Sequence, residues 1–333
     1  MDKKHILLTN DSGMEVLLSP LGAALVDISL LLKSGERRSI TIAPKKDPGS
    51  EYPRDYSGKT IGRNSGRLYN GVFTINGKRY RVIESKSSHG LHGGDQSLAF
   101  QTFAAQQGSD ENGTWVLFSY LSPASEGGFP GALHVEAHYY LYRGENKLEL
   151  TYSAHADEDT LCNLTNHVFF NLDGRGTIKD HRLWIDADRF IAVDAEILPK
   201  RILPVDEIMD FRSGKAIGQH LANPRLQPSG GYDHPYILNE TQPNKPVASL
   251  INEKGDVALN LYTSDPALVF YSGNYPTKRK MRNGLVLHKH EELALEPQYV
   301  PDAINRDFEQ TKTGRLAAGS TYRETIVYEF LTK

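Results

Sequence analysis

Four segments of this 333-residue chain set ionisable side chains among apolar or glycine-rich neighbours. They are Gly62-Arg63-Asn64-Ser65-Gly66-Arg67-Leu68, Leu91-His92-Gly93-Gly94, Asn163-Leu164-Thr165-Asn166-His167-Val168-Phe169-Phe170-Asn171-Leu172 and Leu293-Ala294-Leu295-Glu296-Pro297-Gln298-Tyr299. Gly230-Gly231-Tyr232-Asp233-His234-Pro235-Tyr236 lies between the last two. A carboxylate at the end of an apolar run, as Glu296 is, must be paired, protonated or open to a cleft. An imidazole among apolar neighbours, as His167 is, either bonds to backbone or moves protons. Together the two residue types could supply a base and an acid.

Each also has an ordinary structural explanation. Alone, His167 fits a core histidine, Glu296 a buried ion pair, and His92 a turn residue before two glycines. Asp233 fits a turn former, and Arg67 a surface or paired cation. Metal binding has weak support. His89 and His92 have HxxH spacing, while His134 with His138, and His288 with His290, would each share a strand face. None has an HExxH context or a carboxylate at a familiar ligand spacing, so no metal is expected. GxGxxG after a strand, GxxxxGK[ST] and GxSxG are all missing, which gives no indication of a nucleotide cofactor and weakens a serine hydrolase reading. No cofactor is expected.

The elements that must carry these segments read as β-strands. Val72–Ile75 and Lys78–Ile83 flank Asn76-Gly77, a pair that tolerates the positive φ of a type I′ hairpin turn. Residues 115–121, 134–142, 147–154, 182–186, 257–263, 268–272 and 325–330 are further strand candidates, by alternation or by short apolar runs. At most a few short helical turns are predicted, one of them from Ser213 to His220. Closely spaced strands without intervening helices argue for a large antiparallel sandwich over a parallel α/β sheet. No linker or repeat divides the chain, so one domain over 1–333 is expected, as sandwiches of this size can form one unit.

Composition narrows the partners. The net charge is −3 with His neutral, giving no bulk attraction to nucleic acid or anionic membrane. The Lys278-Arg279-Lys280 run with Arg282 reads as a solvated loop. Cys162 is the only cysteine, so no internal disulfide forms and a four-thiolate zinc site is excluded. No apolar stretch reaches signal-peptide or membrane-span length, so a cytoplasmic protein is expected. Exposed strand edges leave monomer or homodimer open.

Taken in order, these segments resemble the aldose 1-epimerase (galactose mutarotase) family. The resemblance runs from Leu21-Gly22-Ala23 through Gly62–Gly71, Leu91–Gly94, Gly128–Gly131 and the NHxxFNL segment at 166–172. It continues through Asp210-Phe211-Arg212, Gly231–His234, Tyr262-Thr263-Ser264 and Gly273-Asn274. It closes with the LEPQ segment at 295–298 and Pro301–Asn305. The family implies an antiparallel β-sandwich (a galactose mutarotase-like supersandwich) with few short helices, an open sugar cleft and no required cofactor. It maps its general base to Glu296, its general acid to His167, a second histidine to His92, and substrate-positioning residues to Arg67 and Asp233. Two positions depart from the pattern. Gly66 stands where many members have Asn, and Val269 where many have Gln, both near sugar hydroxyls in the family.

The expected reaction is interconversion of the α and β anomers of a free hexose such as galactose or glucose. An ionised Glu296 with an ordinary pKa would take the proton from O1, and His167 would give one to O5. His92 would bond near the ring oxygen, and Phe170 would pack on the sugar. Rival readings are a silent sugar-binding module of the same fold, a hexose-phosphate mutarotase, and a glycoside hydrolase. The hydrolase would need a carboxylate pair, and the phosphate reading would need added cations.

Overall fold

The computed structural model describes residues 5–44, 55–84, 87–275, 281–282, 284, 286–306, 308 and 311–333. Lys278, Arg279 and Lys280 of the basic run lie outside the described residues. The architecture is all-β, built on two large antiparallel sheets. The nine-stranded sheet runs, in spatial order, Ala104–Ser109, Gly113–Ser122, Leu133–Tyr142, Lys147–Ala156, Thr321–Thr332, Val257–Thr263, Ala248–Ile251, Arg182–Ile185 and Lys215–Ala216. The six-stranded sheet runs Phe169–Phe170, Leu293–Gln298, Ala267–Tyr271, Asp233–Ile237, Arg189–Val193 and Pro199–Pro204. A four-stranded sheet from Ile6 to Ser39 joins them. Helical structure among the described residues is confined to 3-10 turns of three or four residues.

Alternation along the strands makes the core. In Leu133–Tyr142, the side chains of Leu133, Val135, Ala137, Tyr139 and Leu141 are fully buried, while those between them reach solvent. That period of two places one face inward. The six-stranded sheet answers with Tyr236, Leu268, Phe270, Leu293 and Leu295. Phe170 packs its ring 5.7 Å from Tyr328 and 6.4 Å from Phe330 of the long strand in the other sheet. Each such buried ring contributes about 1.5–3 kcal/mol through apolar burial.

The opposite face of the six-stranded sheet is set by the same register. Asp233 pairs with Tyr271, Pro235 with Val269, and Val269 with Glu296. Asp233, Pro235, Val269, Tyr271, Glu296 and Gln298 therefore share one face, turned away from the core. Prolines at 235 and 297 are tolerated because each lies beyond the end of a short flanking ladder, where no N–H is needed.

The hairpin forms as the sequence predicts, between Val72–Ile75 and Lys78–Arg81, with Asn76 at φ 52° and Gly77 at φ 75°. Two expectations need correction. Helical structure in the 213–220 segment is limited to Ile217–His220, because Lys215–Ala216 pairs with Arg182–Leu183 as a strand. The Lys215 ammonium is buried, donating to Glu207 O and Ile208 O at 2.7 Å each and lying over the Phe211 ring. His288 and His290 share no strand face. They precede strand Leu293–Gln298 in a turn, and His290 is buried with its Nδ1 2.7 Å from Ser272 O.

Candidate active site

The outward face of the six-stranded sheet floors a cavity of about 230 Å³. Arg67, His92, His167, Asp233 and Glu296, which lie far apart in the chain, all line it. Gly66 and Val269, the two positions that depart from the family pattern, line it as well.

Each polar group is delivered by a different local device. Glu296 and Gln298 come from the fully buried strand Leu293–Gln298, where alternation sends Leu293 and Leu295 to the core and the polar pair to the cavity. His167 follows the short strand Thr165–Asn166, which pairs with Thr60–Ile61. Its backbone is held by His167 N donating to Lys59 O and by Gly58 N donating to His167 O. Asp233 opens its strand rather than sitting in a turn. Just before it, Gly231 packs so closely on Asn274 that an added Cβ would lie 2.2 Å from Asn274 Oδ1. The Asn274 amide and the Ser272 hydroxyl hold Tyr232 from that side.

Arg67 and His92 come from two paired segments, Arg67–Leu68 and Gly90–Leu91. Gly66 N donates to His92 Nδ1 at 3.2 Å, and His92 N donates back to Gly66 O at 3.0 Å. Gly66 has φ 73°, and a Cβ there would lie 2.7 Å from Pro301 Cβ. Glycine at this position thus has a steric reason in this chain. Its neighbour Arg63 plays no part in the cavity. The Arg63 guanidinium is buried and donates to Ser122 Oγ, Pro130 O, Gly131 O and Pro123 O, which ties this loop to the sandwich.

His167 Nε2 lies 3.8 Å from Glu296 Oε1, close but beyond hydrogen bonding. Glu296 Oε2 and His167 Nδ1 are buried without hydrogen-bond partners. Among the described residues, neither the Arg67 guanidinium nor the Asp233 carboxylate makes a hydrogen bond or ion pair. Buried polar atoms such as Glu296 Oε2 and His167 Nδ1 are costly unless water or a polar ligand completes them.

Electrostatics differ from the sequence expectation. Burial, reinforced by the Asp233 carboxylate and opposed by Arg67, pushes the Glu296 carboxyl up to about 8. Burial pulls the His167 imidazole down to about 4, with nearby Asp55 opposing. Glu296 is therefore not an ordinary ionised carboxylate in the free protein. Burial favours the uncharged form of both groups, with a proton on Glu296 and none on His167. His92 is also driven well below its usual pKa, chiefly by burial and then by His167 and Arg67. With Nδ1 accepting from Gly66, neutral His92 presents Nε2–H as a fixed donor rather than a proton source. Burial raises Asp233, and Arg67 offsets this in part.

Sequence reasoning missed several wall residues and misplaced one. Phe169, not Phe170, lines the cavity, with its ring 4.8 Å from that of His167. Phe169 pairs with Ala294 on the cavity face, and Phe170 with Leu293 on the core face. Tyr56 contacts both histidine rings, at centroid distances of 5.0 Å to His92 and 6.2 Å to His167. Val193, Ile197 and Pro199 add an apolar wall. Leu91, Pro235, Gln298 and Pro301 also line the cavity, and each stands in a segment that the sequence singles out. Among the described residues no three His, Cys, Asp or Glu side chains gather in a metal-binding group, and no helix is long and apolar enough to cross a membrane.

Comparison with known proteins gives a consistent answer. Residues 4–329 match the aldose 1-epimerase family. An aldose 1-epimerase of Haemophilus influenzae is 32% identical over 332 residues, covering 98% of this chain and 95% of that protein. A galactose mutarotase of Mus musculus is 32% identical over 314 residues, covering 93% and 89%. Among solved structures, a galactose 1-epimerase from Lactobacillus acidophilus superposes with a TM-score of 0.87 at 27% identity, covering 100% of this chain and 96% of that one. A GalM/aldose epimerase homologue from C. elegans gives the same TM-score at 27% identity, covering 99% of both.

Proposed function

The chain belongs to the aldose 1-epimerase family, and from that premise we propose that it interconverts the α and β anomers of free hexoses such as galactose and glucose, with Glu296 and His167 as the acid–base pair. It is an isomerase, and its family acts on aldoses. The observation that carries the finer reading is the 3.8 Å approach of His167 to Glu296 across one cavity.

Anomer exchange removes a proton from O1 and adds one to the ring oxygen O5, which opens the hemiacetal to an aldehyde. Rotation about C1–C2 turns the carbonyl over, and reclosure reverses both transfers. The reaction needs one acid and one base, hence a pair carrying one proton. Glu296 takes the O1 proton when that proton rests on His167, and His167 then gives its own to O5. Transfer between the two through one bridging water or sugar hydroxyl generates this form from the one that burial favours, since 3.8 Å is too long for a direct step. Because reclosure runs the same steps backwards, each group serves as acid in one half of the cycle and base in the other. His92 Nε2–H donates to a sugar oxygen. Asp233 accepts from hydroxyls, and Arg67 donates to them and offsets the charge of Glu296 and Asp233. Phe169, Pro235 and Val269 offer apolar surface to the C–H face of the ring.

Among the described lining residues Arg67 is the only Lys or Arg. A phosphorylated sugar would call for more cationic donors, so an unphosphorylated sugar fits better. The test is polarimetry from pure α-galactose and α-glucose. Glu296→Gln should cut turnover by ~10²-fold or more while sugar binding persists. Turnover near that of the unmodified protein would remove Glu296 from the pair.

A further inference from the structure

We propose that Asn163 is a positioning residue that sets the distance between His167 and Glu296. The inference rests on the acid–base reading of that pair. His167 and Glu296 make no hydrogen bond to each other, so their separation is fixed by the segments that carry them. Those segments meet at Asn163, which is 2% exposed. Its side chain grips the backbone of Tyr299 at two points. Tyr299 N donates to Asn163 Oδ1 at 2.9 Å, and Asn163 Nδ2 donates to Tyr299 O at 3.3 Å. Tyr299 stands three residues beyond Glu296, and His167 stands four residues beyond Asn163.

The backbone of Asn163 holds a third segment. Asn163 N donates to Arg63 O at 2.8 Å, and Asn163 O accepts from both Ser65 N and Ser65 Oγ at 2.9 Å. Ser65 leads directly into Gly66 and Arg67. One buried amide and its peptide groups therefore join the carriers of His167, Glu296 and Arg67. An asparagine suits the place because it has one acceptor and one donor side by side, matching the N–H and C=O of Tyr299. Misplacement of reacting groups by about 1 Å costs up to ~10²-fold in rate, so a clamp here acts on turnover through the pair without touching the sugar.

The experiment compares three variants by anomer exchange, sugar binding and thermal melting, each assayed well below its melting temperature. Asn163→Ala should lower kcat roughly 10- to 100-fold with KM within about threefold. Thr151→Val removes a bond within the nine-stranded sheet, between the hydroxyls of Thr151 and Thr325 at 3.1 Å, in which none of the three joined segments takes part. It should lower the melting temperature and leave kcat within about twofold. Should Asn163→Ala fail to fold, Asn163→Asp keeps the acceptor for Tyr299 N and regains the donor only when protonated. Its kcat relative to the unmodified protein should climb as pH falls from 8 to 5. A kcat for folded Asn163→Ala equal to that of the unmodified protein, or a pH-independent kcat ratio for Asn163→Asp, overturns the proposal. Glu296→Gln run alongside separates the two ideas. If it keeps turnover, the acid–base reading fails and this inference with it; if it loses turnover while Asn163→Ala keeps its kcat, only the positioning role falls.

Discussion

Val269 lies directly across the antiparallel ladder from Glu296, on the same face of the sheet. An isopropyl group thus flanks the buried carboxyl where an amide would otherwise be able to donate to it. Val269→Gln should stabilise the carboxylate form and lower the Glu296 pKa from about 8. The measurement is the pH dependence of kcat/KM, whose alkaline limb should move down by about one unit. An unmoved limb would show that the cross-strand neighbour has no hold on this group.

The pH profile of the unmodified protein follows from the pair rather than from either member. Below about 4 both groups carry protons and no base remains. Above about 8 both have lost them and no acid remains. kcat/KM should be level between those limits and fall tenfold per unit beyond each. Asp233, raised by burial, also gives up part of its acceptor capacity on the acid side, as one oxygen becomes a donor. A single rising limb centred near 6.5 would point to an ordinary histidine instead.

Stability should respond to Glu296 with a definite sign. Its folded-state pKa is raised, so the protonated form is the one the fold prefers. The contribution is fully present below the unfolded value near 4.5 and is lost as pH rises through about 8. Glu296→Gln removes this penalty. Its melting temperature should match that of the unmodified protein at pH 5 and exceed it by about 2 °C or more at pH 8. Calorimetry at the two pH values decides it, and an equal difference at both would contradict the burial argument.

Adjacent phenylalanines should give opposite phenotypes. Phe170→Ala opens a void among Tyr328 and Phe330 and should cost about 3–5 kcal/mol of stability. Phe169→Ala strips the cavity wall beside His167 and should raise KM several-fold with a small change in melting temperature. Denaturant unfolding and steady-state kinetics on both variants would expose a swapped assignment.

Much of this protein was legible in its sequence. Alternation marked the strands, because a side-chain period of two is a local property of extended backbone. Asn76-Gly77 marked its turn, because positive φ is a local property of those residue types. Arg67, His92, His167, Asp233 and Glu296 stand out in the sequence through the family resemblance of the segments that carry them, since taken alone each fits an ordinary structural place. Their meeting around one cavity, however, depends on pairings such as Thr165 with Ile61 and Val269 with Glu296, which join distant parts of the chain. Only the tertiary structure sent Phe169 to the cavity and Phe170 to the core, since the face a residue takes is set by which strand it pairs with. It alone moved the proton toward Glu296, because desolvation is a property of everything packed around a group and is not carried by its neighbours in sequence.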